Sequence, residues 1–187
     1  MELVPSEPLL SILIEPITLV DAERLERGIA ELATDDPSFR SKSDPDTGQT
    51  TLTSNDELHL DSLVRILLDK YKVESRIGAP SVVYRRSGKQ LLEPIMKIEV
   101  VAPIEKLELV KGDIRSRRGK VRTKSSVGAS GEISAFVPLA NMSGYLSSIL
   151  SMTSSRGTFS MCFDHFAPCP NDNDPDGQPP FVQAKRA

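Results

Sequence analysis

The chain has 187 residues, of which 39% are hydrophobic and 26% charged, with a formal net charge of −3 and no Trp. That length suits one or two domains whose modest cores rest on Leu, Ile, Val and Met. No run approaches the roughly 18 apolar residues that span a bilayer, Glu2, Pro5, Glu7 and Pro8 break up any signal-peptide core, and two cysteines make no disulfide framework, so a cytoplasmic chain is expected.

After a linker over 1–8, residues 11–15 read as a strand that Pro16 ends. Thr18-Leu19-Val20-Asp21 has the form of a capping box with Asp in place of Glu. Leu25, Ile29 and Leu32 then recur at helical spacing, which predicts a helix over about 19–34. Asp44-Pro45-Asp46-Thr47-Gly48 is a turn between short strands at about 38–43 and 49–53. Ser54 and Glu57 form a second box before a helix whose apolar face is Leu60, Leu63, Val64, Leu67 and Tyr71. Strands at 73–77 and 81–84 follow.

The same order repeats. Met96, Ile98 and Val100 alternate with Lys97 and Glu99, as a strand with one buried face requires. Leu107, Val110 and Ile114 mark a helix ended by Gly119. Residues 120–125 and 132–137 read as a hairpin around Gly128 and Gly131. Leu139, Met142, Leu146, Ile149 and Leu150 predict a second helix, and Phe159, Met161 and Phe163 a closing strand. The expected fold class is α+β: two ferredoxin-like (βαββαβ) split-βαβ sandwich domains in tandem. The domains occupy 9–86 and 91–166, with a linker at 87–90. A tail over 167–187, with Pro, Asn, Asp, Gly and Gln prominent, is expected to be disordered.

The net charge conceals an asymmetry. Residues 1–87 carry 10 Lys/Arg against 16 Asp/Glu, and residues 88–187 carry 13 against 10. Seven of those basic residues fall within 111–124, with Asp113 the lone acid among them. Such clustering marks a phosphate-binding patch or, in the plainer reading, a solvated helix end. Arg115, Arg117, Arg118, Lys120, Arg122 and Lys124 are the leading RNA-binding candidates, and Arg156 in Ser154-Ser155-Arg156-Gly157 is a weaker one. Alternation along a strand would put Lys120, Arg122 and Lys124 on one face as a stripe, suited to following a phosphate backbone. The structural alternative is an edge strand whose cations block edge-to-edge pairing.

Other candidate chemistry is thin. Glu57 and His59 do not share a helix face, so capping and hydrogen bonding suit them better than acid–base work. Neither histidine has an obvious Ser and Asp partner to complete a triad. Cys162, His165 and Cys169 lack a fourth zinc ligand. Asp172-Asn173-Asp174-Pro175-Asp176-Gly177 opens like a calcium loop, but Gln183 stands where the bidentate Glu belongs. Asn141-Met142-Ser143 is a glycosylation sequon in a chain without a secretory signal. No catalytic residue, cofactor or metal site is expected in this chain.

Two sets of motifs resemble translation elongation factor G. Ile14-Glu15-Pro16, Glu31-Leu32-Ala33, Asp36-Pro37-Ser38-Phe39-Arg40, Thr47-Gly48-Gln49-Thr50, Glu57-Leu58-His59-Leu60-Asp61, Gly78-Ala79-Pro80 and Tyr84-Arg85 resemble its third domain. Its fifth domain is similar through Leu92-Glu93-Pro94-Ile95-Met96, Lys111-Gly112-Asp113-Ile114-Arg115-Ser116-Arg117-Arg118-Gly119-Lys120, Ala135-Phe136-Val137-Pro138-Leu139-Ala140, Ser154-Ser155-Arg156-Gly157-Thr158-Phe159-Ser160-Met161 and Phe163-Asp164-His165. No Gly-x-x-x-x-Gly-Lys-Ser/Thr phosphate loop occurs, so the family's GTPase domain is expected to be missing, and GTP and Mg would come only with that domain. The family's second and fourth domains are expected to be missing too, the fourth from the short stretch between Tyr84-Arg85 and Leu91-Leu92. The resemblance implies a non-enzymatic, monomeric module of the translocation machinery. It would dock at the ribosomal factor site on large-subunit rRNA and stalk-base proteins, with small-subunit contacts through the first domain. The alternative is a protein-interaction module that docks a GTPase partner or another protein.

Overall fold

The computed structural model describes residues 8–88 and 90–170. They divide into two units, 8–83 and 84–170.

The first unit runs β1 (Leu10–Pro16), α1 (Leu19–Asp35), β2 (Arg40–Ser43), β3 (Thr50–Ser54), α2 (Glu57–Asp69) and β4 (Ser75–Ile77). Its sheet order is β2-β3-β1-β4, with β5 (Ser81–Val82) also paired to β1. All these pairings are antiparallel, so the first strand lies inside the sheet with Ile12 opposite Leu52 and Ile14 opposite Ile77. Period two turns Ile12 and Ile14 inward and leaves Leu13 part-exposed on the other face. Leu25 and Ile29 of α1 and Leu60, Leu63, Val64 and Leu67 of α2 close over Ile12, Ile14 and Leu52. Gly28 lets the helices approach, since a β-carbon there would sit 2.9 Å from Leu67 and Tyr71.

Thr18 caps α1 as its sequence predicts, accepting from the Asp21 N–H at 3.1 Å. Asp21 does more than close the box: it accepts from the Glu74 N–H at 3.1 Å, tying the helix start to the approach to β4. The Thr18 hydroxyl and the Glu74 N–H hold this carboxyl below the usual carboxylate range. The Ser54–Glu57 box does not form. Asp56 caps α2 instead, accepting from the Leu58 N–H at 2.8 Å, because Ser54 still belongs to β3 and is committed elsewhere.

The second unit begins with β6 (Arg85–Ser87), which hairpins onto the 14-residue β7 (Gln90–Pro103). Ser87 and Gln90, at either end of the stretch expected as an interdomain linker, are therefore paired within this hairpin. Then come α3 (Leu107–Ser116), β8 (Lys120–Val127), β9 (Ser130–Pro138), α4 (Tyr145–Met152) and β10 (Thr158–Pro168), in sheet order β10-β7-β9-β8. The two units repeat one βαββαβ topology, as the repeated sequence grammar predicts. Ile98, Val100, Ile133, Ala135 and Val137 form the inner sheet layer, under Leu107, Val110, Ile114, Tyr145 and Ile149 of the helices. All are buried, and each large aliphatic side chain contributes about 1.5–3 kcal/mol of burial.

Three local expectations change. Gly131 lies within β9, where a β-carbon would meet Leu107 Cδ1 at 2.1 Å; the hairpin turns at Gly128 with φ +63°. Residues 139–141 form a 3₁₀ turn, so α4 starts at Tyr145 and is short. Its inward residues are Tyr145 and Ile149, while Leu146 is 60% exposed. β10 reaches Pro168, and the Cys169 N–H then donates to the Leu91 carbonyl at 2.8 Å. The rest of the expected tail, with its calcium-like segment, lies outside the described residues.

Candidate nucleic-acid interface

The basic segment spans the corner where α3 ends and β8 begins. Arg117 is the helix C-cap, Arg118 has φ +65°, and the chain closes with two bonds, the Arg118 N–H to Arg115 O at 3.0 Å and the Gly119 N–H to Ile114 O at 2.8 Å. This pair of bonds is a Schellman motif with arginine in the left-handed position that usually takes glycine. Gly119 is needed for a different reason: a β-carbon there would come within 2.5 Å of the Ile114 carbonyl oxygen.

Arg118 spends its side chain inward. Its guanidinium pairs with Glu93 of β7, whose side chain is 3% exposed, and Nη1 also donates to Glu93 Oε2 at 3.1 Å. The Glu93 hydrogen bonds raise the arginine's own pKa further. Arg117 is more tightly committed. Nε donates to Asp113 at 2.8 Å, Nη1 to the Asn141 and Ser143 carbonyls at 2.8 and 3.1 Å, and Nη2 to Ser148 Oγ at 2.8 Å. Its guanidinium also lies 5.1 Å from the centre of the Tyr145 ring, whose phenol burial pushes up to about 12. These two arginines hold the corner to β7 and α4, with the Arg117 side chain 17% and the Arg118 side chain 41% exposed.

The expected Lys120, Arg122 and Lys124 stripe is broken. Lys120 faces Phe136 across the β8–β9 ladder, but the register slips between Val121 and Thr123, so Lys124 faces buried Ile133. Since directly paired residues share a sheet face, the bulge sends Lys124 to the helix side. There it bonds Glu108 of α3 at 2.5 Å, and Lys124 together with Lys111 holds Glu108 below the usual carboxylate range. Arg122, at the bulge, places its guanidinium 5.4 Å from the centre of the Phe136 ring. Arg156 bonds Glu105 at 2.9 Å in an exposed pair. Among the described residues, Arg115 and Lys120 are exposed without an ion-pair partner.

Sequence reasoning missed Glu93, which only the strand pairing brings to the corner. It also missed the outer row around Phe136, although the Ala135-Phe136-Val137 alternation places Phe136 opposite the core. The minor candidates settle into structural places. His59 does stand between a serine and an aspartate: Ser54 Oγ is 2.8 Å from Nδ1, and Asp36 Oδ2 is 2.7 Å from Nε2. With Asp36 ionised, Nε2 is the donor to its carboxylate. Ser54 is 2% exposed, so no substrate reaches this hydroxyl; the arrangement ties β3 and α2 to the end of α1. Glu57 is exposed, and the cap of its helix is Asp56. Cys162 is exposed on β10 and Cys169 is buried.

Comparison with known proteins agrees with this architecture unit by unit. Residues 5–79 match the family model for elongation factor G domain III, and residues 90–176 the model for the elongation factor G C-terminus. The chain is a relative of elongation factor G, matching its domains III and V. Elongation factor G of Ruegeria pomeroyi is 29% identical over 277 residues, covering 89% of this chain and 39% of that protein. The Dinoroseobacter shibae factor is 29% identical over 275 residues, covering 88% and 39%. Both aligned stretches are longer than the 187-residue chain, so each relative carries residues there with no counterpart here. A crystal structure from Thermus thermophilus shares the fold, with a TM-score of 0.55 at 19% identity over 91% of this chain and 42% of that one. The chain thus spans about two-fifths of the relatives it matches, and no helix of the described residues is long and apolar enough to cross a membrane.

Proposed function

We propose that this elongation factor G relative is a cytoplasmic ribosome-docking module of the translation machinery that binds rRNA through its second unit and hydrolyses no GTP itself. The observation that carries the reading is the ordered match to domains III and V over nearly the whole chain. The exposed cations at the α3–β8 corner support phosphate contact. Docking at the factor site, with stalk-base and small-subunit neighbours, follows from the relationship. So does the inability to drive translocation without a nucleotide domain, for the sequence has no phosphate loop.

Co-sedimentation with 70S ribosomes across a salt series tests this, comparing the natural chain with Arg115→Glu/Lys120→Glu/Arg122→Glu. These three side chains carry no structural ion pair among the described residues, so the triple variant should stay folded while its binding collapses and the natural chain's binding weakens with salt. Binding that is equal in both would sink rRNA docking through this corner. A second reading, docking of another protein, has its own support in Ile17, Leu19 and Val20 at the start of α1, which are 61%, 85% and 54% exposed. Leu19→Asp/Val20→Asp should abolish that kind of docking and leave the salt-dependent component intact.

A further inference from the structure

We infer that the outer face of the second unit's sheet binds an unpaired segment of RNA, with a base stacked on the Arg122–Phe136 pair. The inference deepens the ribosome-docking reading and takes from it only the ligand class, RNA. Register defines this face. Lys97 lies opposite both Phe136 and Cys162, Lys120 opposite Phe136, and His165 opposite Ile95 beyond the slip at residues 163–165. These residues alternate with the buried inner layer of Ile98, Ala135 and Val137, so they stand on the side away from the helices.

Phe136 is the centre of the face. Arg122 lies 5.4 Å from its ring centre, and the His165 ring meets its edge with centroids 5.9 Å apart and planes at 81°. A guanidinium held on an aromatic ring is already oriented, so it offers a planar cationic surface to a base at little further entropic cost. Its neighbours suit the phosphates on either side. Lys120 is exposed with no ion pair among the described residues, and the Lys97 side chain is 42% exposed. Two acids lie nearby, and both are paired: Lys97 covers Glu99 at 2.8 Å, and Asp164 bonds the His165 ring at 2.6 Å. An open aromatic sheet face selects single strands, because a duplex hides the planes of its bases against one another. The bulge that spoils the expected basic stripe is what creates this surface, since it frees Arg122 from the ladder beside Phe136.

The test is fluorescence anisotropy of the full chain with a labelled eight-nucleotide RNA and with its duplex, for the natural protein, Phe136→Leu and Arg122→Lys. Single-strand affinity should exceed duplex affinity about tenfold, and Phe136→Leu should lose about tenfold of it, as for a single stacked base. Arg122→Lys keeps the charge, so it should weaken binding several-fold with an unchanged salt slope. That variant also decides the matter should Phe136→Leu fail to give a native circular dichroism spectrum. No binding at low salt, equal or better duplex binding, or natural affinity in both variants would overturn the stacking surface. Ribosome co-sedimentation of the same proteins reports separately on docking, so the two readings fail independently.

Discussion

The two units share one topology and use their polar groups differently. In the first, short polar side chains make the ties: buried Asp21 and Ser54, with exposed Thr18 and half-buried His59, link helix starts to neighbouring strands and loops. In the second, long arginine side chains reach across the fold, Arg118 to Glu93 and Arg117 to the 3₁₀ turn and α4. A cationic corner has to be braced from within, because like charges crowd there. The lesson is that a basic cluster divides its labour: some cations build the surface that the others present. The fold itself is common to both units and does not distinguish them.

That contrast is open to attack by mutation. The largest effect should come from Arg118→Ala, which strands a buried carboxylate and should cost about 3 kcal/mol in urea denaturation. Arg118→Gly should be milder by about 1 kcal/mol, since glycine accepts the left-handed backbone that Arg118 now adopts at φ +65°. If both substitutions proved neutral, the bracing role of the Glu93 pair would be wrong. Next, His59→Ala should destabilise the first unit by about 1–3 kcal/mol by leaving the Ser54 hydroxyl buried without its partner. A stability change of the same size in His59→Ala/Ser54→Ala would show that packing, not the hydrogen bond, matters there.

Acid should have a smaller effect on the first unit. The Ser38 hydroxyl and N–H, followed by His59, hold the Asp36 carboxyl below the usual carboxylate range. A lowered folded-state pKa contributes stability that is fully present above the unfolded value, about 4, and is lost as pH falls through the lower folded value. Asp36→Asn should therefore flatten the acid limb of the stability profile, and an unchanged limb would remove Asp36 from the account. The smallest effect belongs to Arg156→Ala, which breaks only the exposed pair with Glu105 and should shift stability by less than about 1 kcal/mol.

Much of the architecture is legible in the sequence, and the reasons are local. Leu25 and Ile29, or Leu60, Leu63, Val64 and Leu67, recur at a spacing that only a helix buries on one side. Ile12 and Ile14 do the same for a strand, and Thr18 with Asp21 announces a helix start. Where the sequence misleads, a longer-range fact intervenes. Ser54 cannot cap α2 because β3 and His59 already hold it, and Leu146 cannot join the core because the 3₁₀ turn at 139–141 delays α4. The candidate interface is legible as a cluster of charge and opaque as a surface.

Hydrophobic period, turn chemistry and family motifs thus determined the elements, their repeated order and the kinship with elongation factor G domains III and V. Tertiary structure alone decided which cations are available. A slip between Val121 and Thr123 turns Lys124 to the helix side and brings Arg122 to Phe136, and the folding of β7 against the α3–β8 corner commits Arg118 to Glu93. Charge is written residue by residue, but whether it is free depends on partners as far as 51 positions away in the chain, which only folding brings within hydrogen-bond reach.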